Sequence, residues 1–127
     1  MIVGLGIDIV ETDRIARIWN RFGDHFTRKI LTEKERHALD TPSVPALAAR
    51  FAAKEAGVKA LGTGFSHGIT PKCLEILSDA HGKPQIAFFG PARIQADVLG
   101  VVSCHVSMTH GRDNAVAVVV LETKTSP

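Results

Sequence analysis

The stretch Arg50–Gly62, Arg-Phe-Ala-Ala-Lys-Glu-Ala-Gly-Val-Lys-Ala-Leu-Gly, constrains this chain more than any other. At about 100° per residue it reads as a helix with one carboxylate in the middle of its apolar face. With Glu55 as the zero direction, Ala48, Phe51, Ala52 and Val58 fall within about 60° of it, and Lys59 follows one turn on. An acid centred among such residues is desolvated and needs a cation or donors around it. Lys59 is one candidate, and a bound metal is the other. The helix is expected from about Pro45 to Leu61, with Gly62 as its C-cap. Gly57 in its interior costs about 1 kcal/mol relative to Ala, which predicts close packing there.

The frame around this helix is that of one domain. The chain has 127 residues, 22% charged and 45% hydrophobic, an ordinary globular composition. A net charge of +2 is too small to argue for nucleic acid. Cys73 and Cys104 have neither the count nor the spacing of a zinc site or a disulfide framework, so both are expected as reduced, buried thiols. The apolar N-terminus lacks a basic flank and soon meets Asp8, which does not read as a signal peptide. The longest purely apolar run, Ala115–Leu121, falls well short of the ~20 residues of a membrane helix. A soluble, cytoplasmic protein is expected, with no nucleic acid and no membrane among its partners.

In chain order, Ile2–Val10 alternates as a strand, with Val3, Leu5, Ile7 and Ile9 against Gly4, Gly6, Asp8 and Val10. Glycines in a strand mark a place where another backbone or a ligand comes close. Taken alone, Asp8 reads as an acid capping the next helix. That helix, Thr12–Phe22, has an apolar stripe of Ile15, Ile18, Trp19 and Phe22. Beside it runs a basic ridge of Arg14, Arg17 and Arg21, either a solvated face or a docking surface for an acidic partner. Leu31–Leu39 is a short helix opened by the capping box Thr32-x-x-Glu35.

Beyond the main helix, Gly62-Thr-Gly64 begins a loop to about Pro71, a plain turn unless a phosphate sits in it. Cys73–Leu77 and Gln85–Phe89 form a hairpin about His81-Gly-Lys-Pro84. Pro91 opens a short helix closed near Gly100. Val101–Thr109 and Ala115–Thr123 make a last hairpin, and Val116–Leu121 is apolar on both faces, so that strand belongs in a sheet centre or under a partner subunit. His105, Ser107 and Thr109 share one face of its neighbour, and either His105 or His110 alone reads as a structural imidazole.

If Asp8 and Glu55 meet, both cannot stay ionised near neutral pH without a cation. Two carboxylates, with the other positions left to water and phosphate oxygens, describe a common Mg²⁺ site, and Lys59 could meet a phosphate sharing that metal.

Four pieces in order carry a resemblance: Gly6-Ile-Asp-Ile-Val-Glu11, Arg50-Phe-Ala-Ala-Lys-Glu-Ala56 with Lys59-Ala-Leu-Gly-Thr-Gly64, Gly82-Lys-Pro84, and His105-Val-Ser-Met-Thr-His110. Together they span almost the whole chain, which resembles the holo-acyl carrier protein synthases, the short bacterial 4′-phosphopantetheinyl transferases. The resemblance implies an α+β fold, a mostly antiparallel sheet packed on a long central helix, assembled as a homotrimer with active sites between subunits. The implied reaction moves 4′-phosphopantetheine from coenzyme A to a serine of an acidic apo-acyl carrier protein, for fatty acid biosynthesis.

By the same resemblance Asp8 and Glu55 bind Mg²⁺ (or Mn²⁺), and Lys59 stands at the coenzyme A diphosphate. Gly62, Gly64, Lys83, Pro84, His105 and Thr109 fall at the coenzyme A site. Arg50, about 140° from Glu55 on the helix, reaches the 3′-phosphate only across an interface. Arg14 and Arg21 dock the carrier protein. The base that accepts the serine proton is either Glu55 or a metal-bound water. Two other classes stand beside this one: a coenzyme A binder without turnover, and an oligomerisation domain in which Glu55–Lys59 is a buried ion pair.

Overall fold

The computed structural model describes residues 1–124. The order of elements is β1 (Ile2–Glu11), α1 (Thr12–Phe22), α2 (Asp24–Ile30), α3 (Glu33–Ala38), α4 (Val44–Leu61), a 3-10 turn (Pro71–Cys73), β2 (Leu74–Ser78), β3 (Pro84–Phe88), α5 (Gly90–Leu99), β4 (Val101–His110) and β5 (Asn114–Thr123). This is an α+β architecture with two antiparallel sheets, β1-β5-β4 and β2-β3.

The two-sided apolar run of β5 finds its place as the middle strand, with β1 and β4 on either side. Across the sheet, Leu5, Val120 and His105 form one row, Ile7, Val118 and Ser107 the next, and Ile9, Val116 and Thr109 a third. The described residues leave this face uncovered: Leu5, Ile7 and Ile9 all stand in solvent. The other face of the sheet packs on α4, through Val10, Val106, Ala115, Ala117, Val119 and Leu121.

The glycines of β1 explain how strand and helix come together. A Cβ at Gly6 would lie 1.9 Å from the Ala56 carbonyl oxygen, and one at Gly4 would lie 2.3 Å from that of Ala60. Backbone therefore rests on backbone, and no side chain fits between them. On the opposite side Gly57 makes room for side chains, where a Cβ would meet Leu74 Cδ2 at 2.6 Å.

Helix ends follow the local chemistry. Thr32 and Glu35 form the expected capping box, α4 opens on the Ser43 hydroxyl accepting from the Ala46 N–H, and Gly62 closes it in the left-handed region at φ 80°. Asp8 caps nothing: α1 begins at Glu11 without a side-chain cap, and the Thr12 N–H donates to the Asp113 carbonyl instead.

Residues 24–30, to which the sequence pattern assigns no element, form α2, because Gly23 at φ 55° breaks the helix and a new apolar set of Phe26 and Ile30 turns inward. Two expectations are corrected. The apolar face of α4 is no single stripe, since buried residues lie all round the helix and only Lys59 of the 44–61 segment is exposed. Cys73 and Cys104 are free thiols, but they are half-buried rather than buried. Burial still pushes the Cys104 thiol above its ordinary pKa.

Candidate active site

The close approach of β1 to α4 sets Asp8 beside Glu55 and Lys59. Asp8 lies on the strand face that carries Gly4 and Gly6, so its side chain leans over the same helix. Lys59 Nζ donates to Asp8 Oδ1 at 2.9 Å and to the Ile7 carbonyl oxygen at 3.1 Å. The Lys59 side chain is 52% exposed and that of Asp8 16%. An ammonium has three donors, so one N–H of Lys59 remains for a ligand.

Glu55 is held above the usual carboxylate range, first by burial and then by the neighbouring charge of Asp8. Lys59 and Arg14 act in the opposite direction without overcoming these effects. The lysine therefore serves Asp8, and the pairing of Glu55 with Lys59 along the helix does not form among the salt bridges of the described residues. This counts against the purely structural reading of Glu55. Lys59 thus holds an acid with two of its donors and keeps the third for a ligand.

The pair fits a hard divalent cation. Asp8 lies close enough for its charge to act on Glu55, the burial and repulsion that raise the Glu55 pKa would be offset by positive charge there, and the donors are oxygens. Among the described residues, no group of three or more His, Cys, Asp and Glu gathers as a metal site. A cation at Asp8 and Glu55 would thus leave most of its coordination to water and to a ligand's oxygens, as Mg²⁺ commonly does.

The other expected residues lie around this centre to different degrees. Gly62 and Gly64, at φ 80° and 62°, form the turn leaving α4 just after Lys59. Arg14 stands on α1 with its guanidinium 5.7 Å from the Phe51 ring centroid, close enough to act on Glu55. Arg14 also borders a cavity of about 350 Å³ with Ile18, Phe22, Phe26, Lys29 and Phe51. Arg21 lies exposed further along the same ridge, over Phe22.

Within one chain the remaining residues are not brought to Asp8. His105 and Thr109 lie on the uncovered face of the sheet, opposite to the face that carries Asp8. Lys83 and Pro84 belong to the turn of the second sheet, where the Lys83 N–H donates to Asp79 Oδ1. Arg50 is half-buried on the far side of α4, and it shares a cavity of about 340 Å³ with Thr109 and His110. Burial lowers its pKa from the ordinary guanidinium value, against the pull of Glu35.

A second charged group lies inside the same helix and carries no sequence signal of a site. Lys54 is buried, and its Nζ donates to Glu35 Oε1 at 2.6 Å, to the Ile30 carbonyl at 2.6 Å and to the Pro71 carbonyl at 2.9 Å. Glu35 in turn accepts from the backbone N–H groups of Thr32 and Ile76, while the Thr32 hydroxyl donates to Glu75. The capping box was visible in the sequence, but its second role was not, because the partner stands on another helix.

Comparison with known proteins gives the family. The family described as the 4′-phosphopantetheinyl transferase superfamily matches residues 4–119. The holo-[acyl-carrier-protein] synthase of Solidesulfovibrio magneticus is 56% identical over 122 residues, covering 96% of this chain and 99% of that protein. The crystal structure of the Neisseria meningitidis holo-[acyl-carrier-protein] synthase superposes with a TM-score of 0.87 at 40% identity, over 97% of this chain and 100% of that one. The Helicobacter pylori enzyme, solved in complex with coenzyme A, gives a TM-score of 0.83 at 29% identity over 93% of this chain and 99% of its own. With the family matched across nearly the whole chain, the chain belongs to the 4′-phosphopantetheinyl transferase superfamily, among its holo-[acyl-carrier-protein] synthases.

Proposed function

We propose that this protein transfers the 4′-phosphopantetheine group from coenzyme A to a serine of an acidic apo-acyl carrier protein, releasing adenosine 3′,5′-bisphosphate. The observation that carries this reading is the meeting of Asp8, Glu55 and Lys59 where β1 rests on α4. The serine oxygen forms a bond to the pantetheine-side phosphorus, and the bond from that phosphorus to the bridging oxygen breaks. A proton leaves the serine, and the nucleotide phosphate departs with the bonding electrons.

Asp8 and Glu55 would hold Mg²⁺, or Mn²⁺ in its place, and such an ion supplies Lewis-acid stabilisation to the diphosphate oxygens. Lys59 directs its remaining N–H at the leaving phosphate, where a fixed cation lowers the barrier most. The serine proton goes to Glu55 or to bound water beside it. Gly62 and Gly64, whose N–H groups close the end of α4 on the Lys59 and Val58 carbonyls, keep the turn after Lys59 free of side chains where the diphosphate approaches. Arg50, Lys83, Pro84, His105 and Thr109 contact the nucleotide end.

Because His105 and Thr109 lie on the sheet face opposite Asp8, the complete site is assembled between subunits of a homotrimer, each subunit a sheet packed on α4 as its central helix. The uncovered stripe of Leu5, Ile7 and Ile9 supports that association, since an exposed apolar patch of this kind calls for a partner. Arg14, bordering both the acid site and an apolar cavity, docks the carrier protein together with Arg21, and opposite charge speeds that encounter. The reaction belongs to the cytoplasm and to fatty acid biosynthesis.

The test is direct. The protein is incubated with coenzyme A, Mg²⁺ and an apo-carrier protein, and the carrier is weighed intact. A gain of one phosphopantetheine group is expected, and no gain with any apo-carrier protein would overturn the reading.

A further inference from the structure

The uncovered sheet face holds one charged pair that the reaction does not explain. Ser103 on β4 stands directly opposite Glu122 on β5, and His105 lies one same-face position further along. Glu122 Oε1 is 2.5 Å from His105 Nε2 and 3.3 Å from Ser103 Oγ. The sheet is irregular beside this carboxylate on both sides: β1 gains an extra residue between Ile2 and Gly4, and β4 gains one between Val101 and Ser103. Bulges of this kind re-aim side chains next to functional sites.

The pair is a poor stabilising device. The His105 and Glu122 side chains are 55% and 40% exposed, and ion pairs in such positions add little to folding. It is a good orienting device. The Glu122 carboxyl is held below the usual range, first by its hydrogen bond with His105 and then by that with Ser103, so it remains ionised and can only accept. His105 Nε2 must then carry the proton, which leaves Nδ1 as the ring nitrogen facing outward. Among the described residues, the row of the ring holds Val120 and Leu5, its strand neighbours on that face are Ser103 and Ser107, and the Met1 ammonium, bonded to the Thr123 carbonyl, acts on Glu122.

We propose that Glu122 is a positioning residue, which fixes the His105 ring so that Nδ1 is presented as an acceptor to a hydrogen-bond donor of the coenzyme A nucleotide, its ribose hydroxyl or adenine amino group. This rests on the reading of His105 as a nucleotide contact. Glu122 itself touches no substrate; it acts by committing the other nitrogen, as carboxylates do behind metal-bound histidines.

The full-length protein carrying Glu122→Ala, Glu122→Gln, His105→Ala or the Glu122→Ala/His105→Ala pair tests it. The readouts are KM for coenzyme A, kcat, calorimetric binding of adenosine 3′,5′-bisphosphate, and ¹⁵N spectra of the His105 ring. Glu122→Ala is expected to raise KM and weaken the bisphosphate roughly tenfold with kcat within about twofold, and to redistribute the ring proton toward Nδ1. Glu122→Gln, whose amide oxygen still accepts, falls between wild type and Glu122→Ala. In the His105→Ala background, Glu122→Ala adds nothing. If His105→Ala raises KM but Glu122→Ala changes neither KM nor the ring spectrum, the positioning role is overturned and the nucleotide contact stands. If His105→Ala leaves KM and bisphosphate binding unchanged, the contact itself is overturned, and the positioning role with it.

Discussion

Lys54 and Lys59 stand little more than a turn apart on α4, and they are used in opposite ways. All three protons of Lys54 are taken by Glu35 and two backbone carbonyls, so it ties α2, α3 and the Pro71 turn to the helix. Lys59 gives two to Asp8 and Ile7 and keeps its third in water. A saturated buried cation has nothing to offer a ligand, and its removal strands a buried acid. An exposed cation with a donor to spare contributes little to stability and much to whatever binds beside it. The same side chain thus serves as mortar or as tool according to how many of its donors the fold consumes.

The largest effect should come from breaking the buried pair. Lys54→Ala leaves Glu35 without its cation and is expected to cost roughly 3–5 kcal/mol of unfolding free energy, read from urea midpoints. Replacing both partners together, Lys54→Met with Glu35→Met, should recover much of that loss, and a double variant as unstable as Lys54→Ala would show that the network does more than pair two charges.

At Lys59 the pattern should invert. Lys59→Ala is expected to change stability by less than about 1 kcal/mol and to lower kcat about 10²–10³-fold, with the carrier-modification assay as the measure. A stability loss as large as that of Lys54→Ala would erase the distinction between the two lysines.

The smallest effect sharpens the contrast from the acid side. Burial and Asp8 raise the Glu55 pKa above that of the unfolded chain, so the folded protein binds the proton more tightly. Ionised Glu55 therefore costs stability above its folded pKa, and that cost disappears as the pH falls to the unfolded value. In chelator, Glu55→Gln should melt slightly higher than wild type near neutral pH, by an amount of roughly 1 kcal/mol or less, while losing the transfer activity. The gap in melting temperature should close as the pH is lowered through the carboxylate range.

Much of this was legible in the sequence, and the parts that were not share a cause. The elements β1, α1 and α4 and the last hairpin were set by period, capping residues and glycine stops, all local signals. The two strand glycines announced a close backbone approach, and α4 is what approaches. The Lys54–Glu35 pair was hidden because its partners come from two helices and a turn, and only tertiary packing joins them. The α2 helix was missed because its seven residues show too little periodicity. The choice of Asp8 over Glu55 by Lys59 was equally out of reach, since helical spacing favours the neighbour along the helix and takes no account of a strand laid across it.

The contact of Gly4 and Gly6 with the Ala56 and Ala60 carbonyls acts as a caliper for the two acids. Its jaws are main-chain atoms, which are the same in every protein, so the gap it holds owes nothing to rotamers or to side-chain volume. Core substitutions elsewhere can repack without moving it. The tolerance for change at these two positions is correspondingly nil, and any variation in which partner or nucleotide is preferred is confined to the helices and turns that surround a fixed gauge.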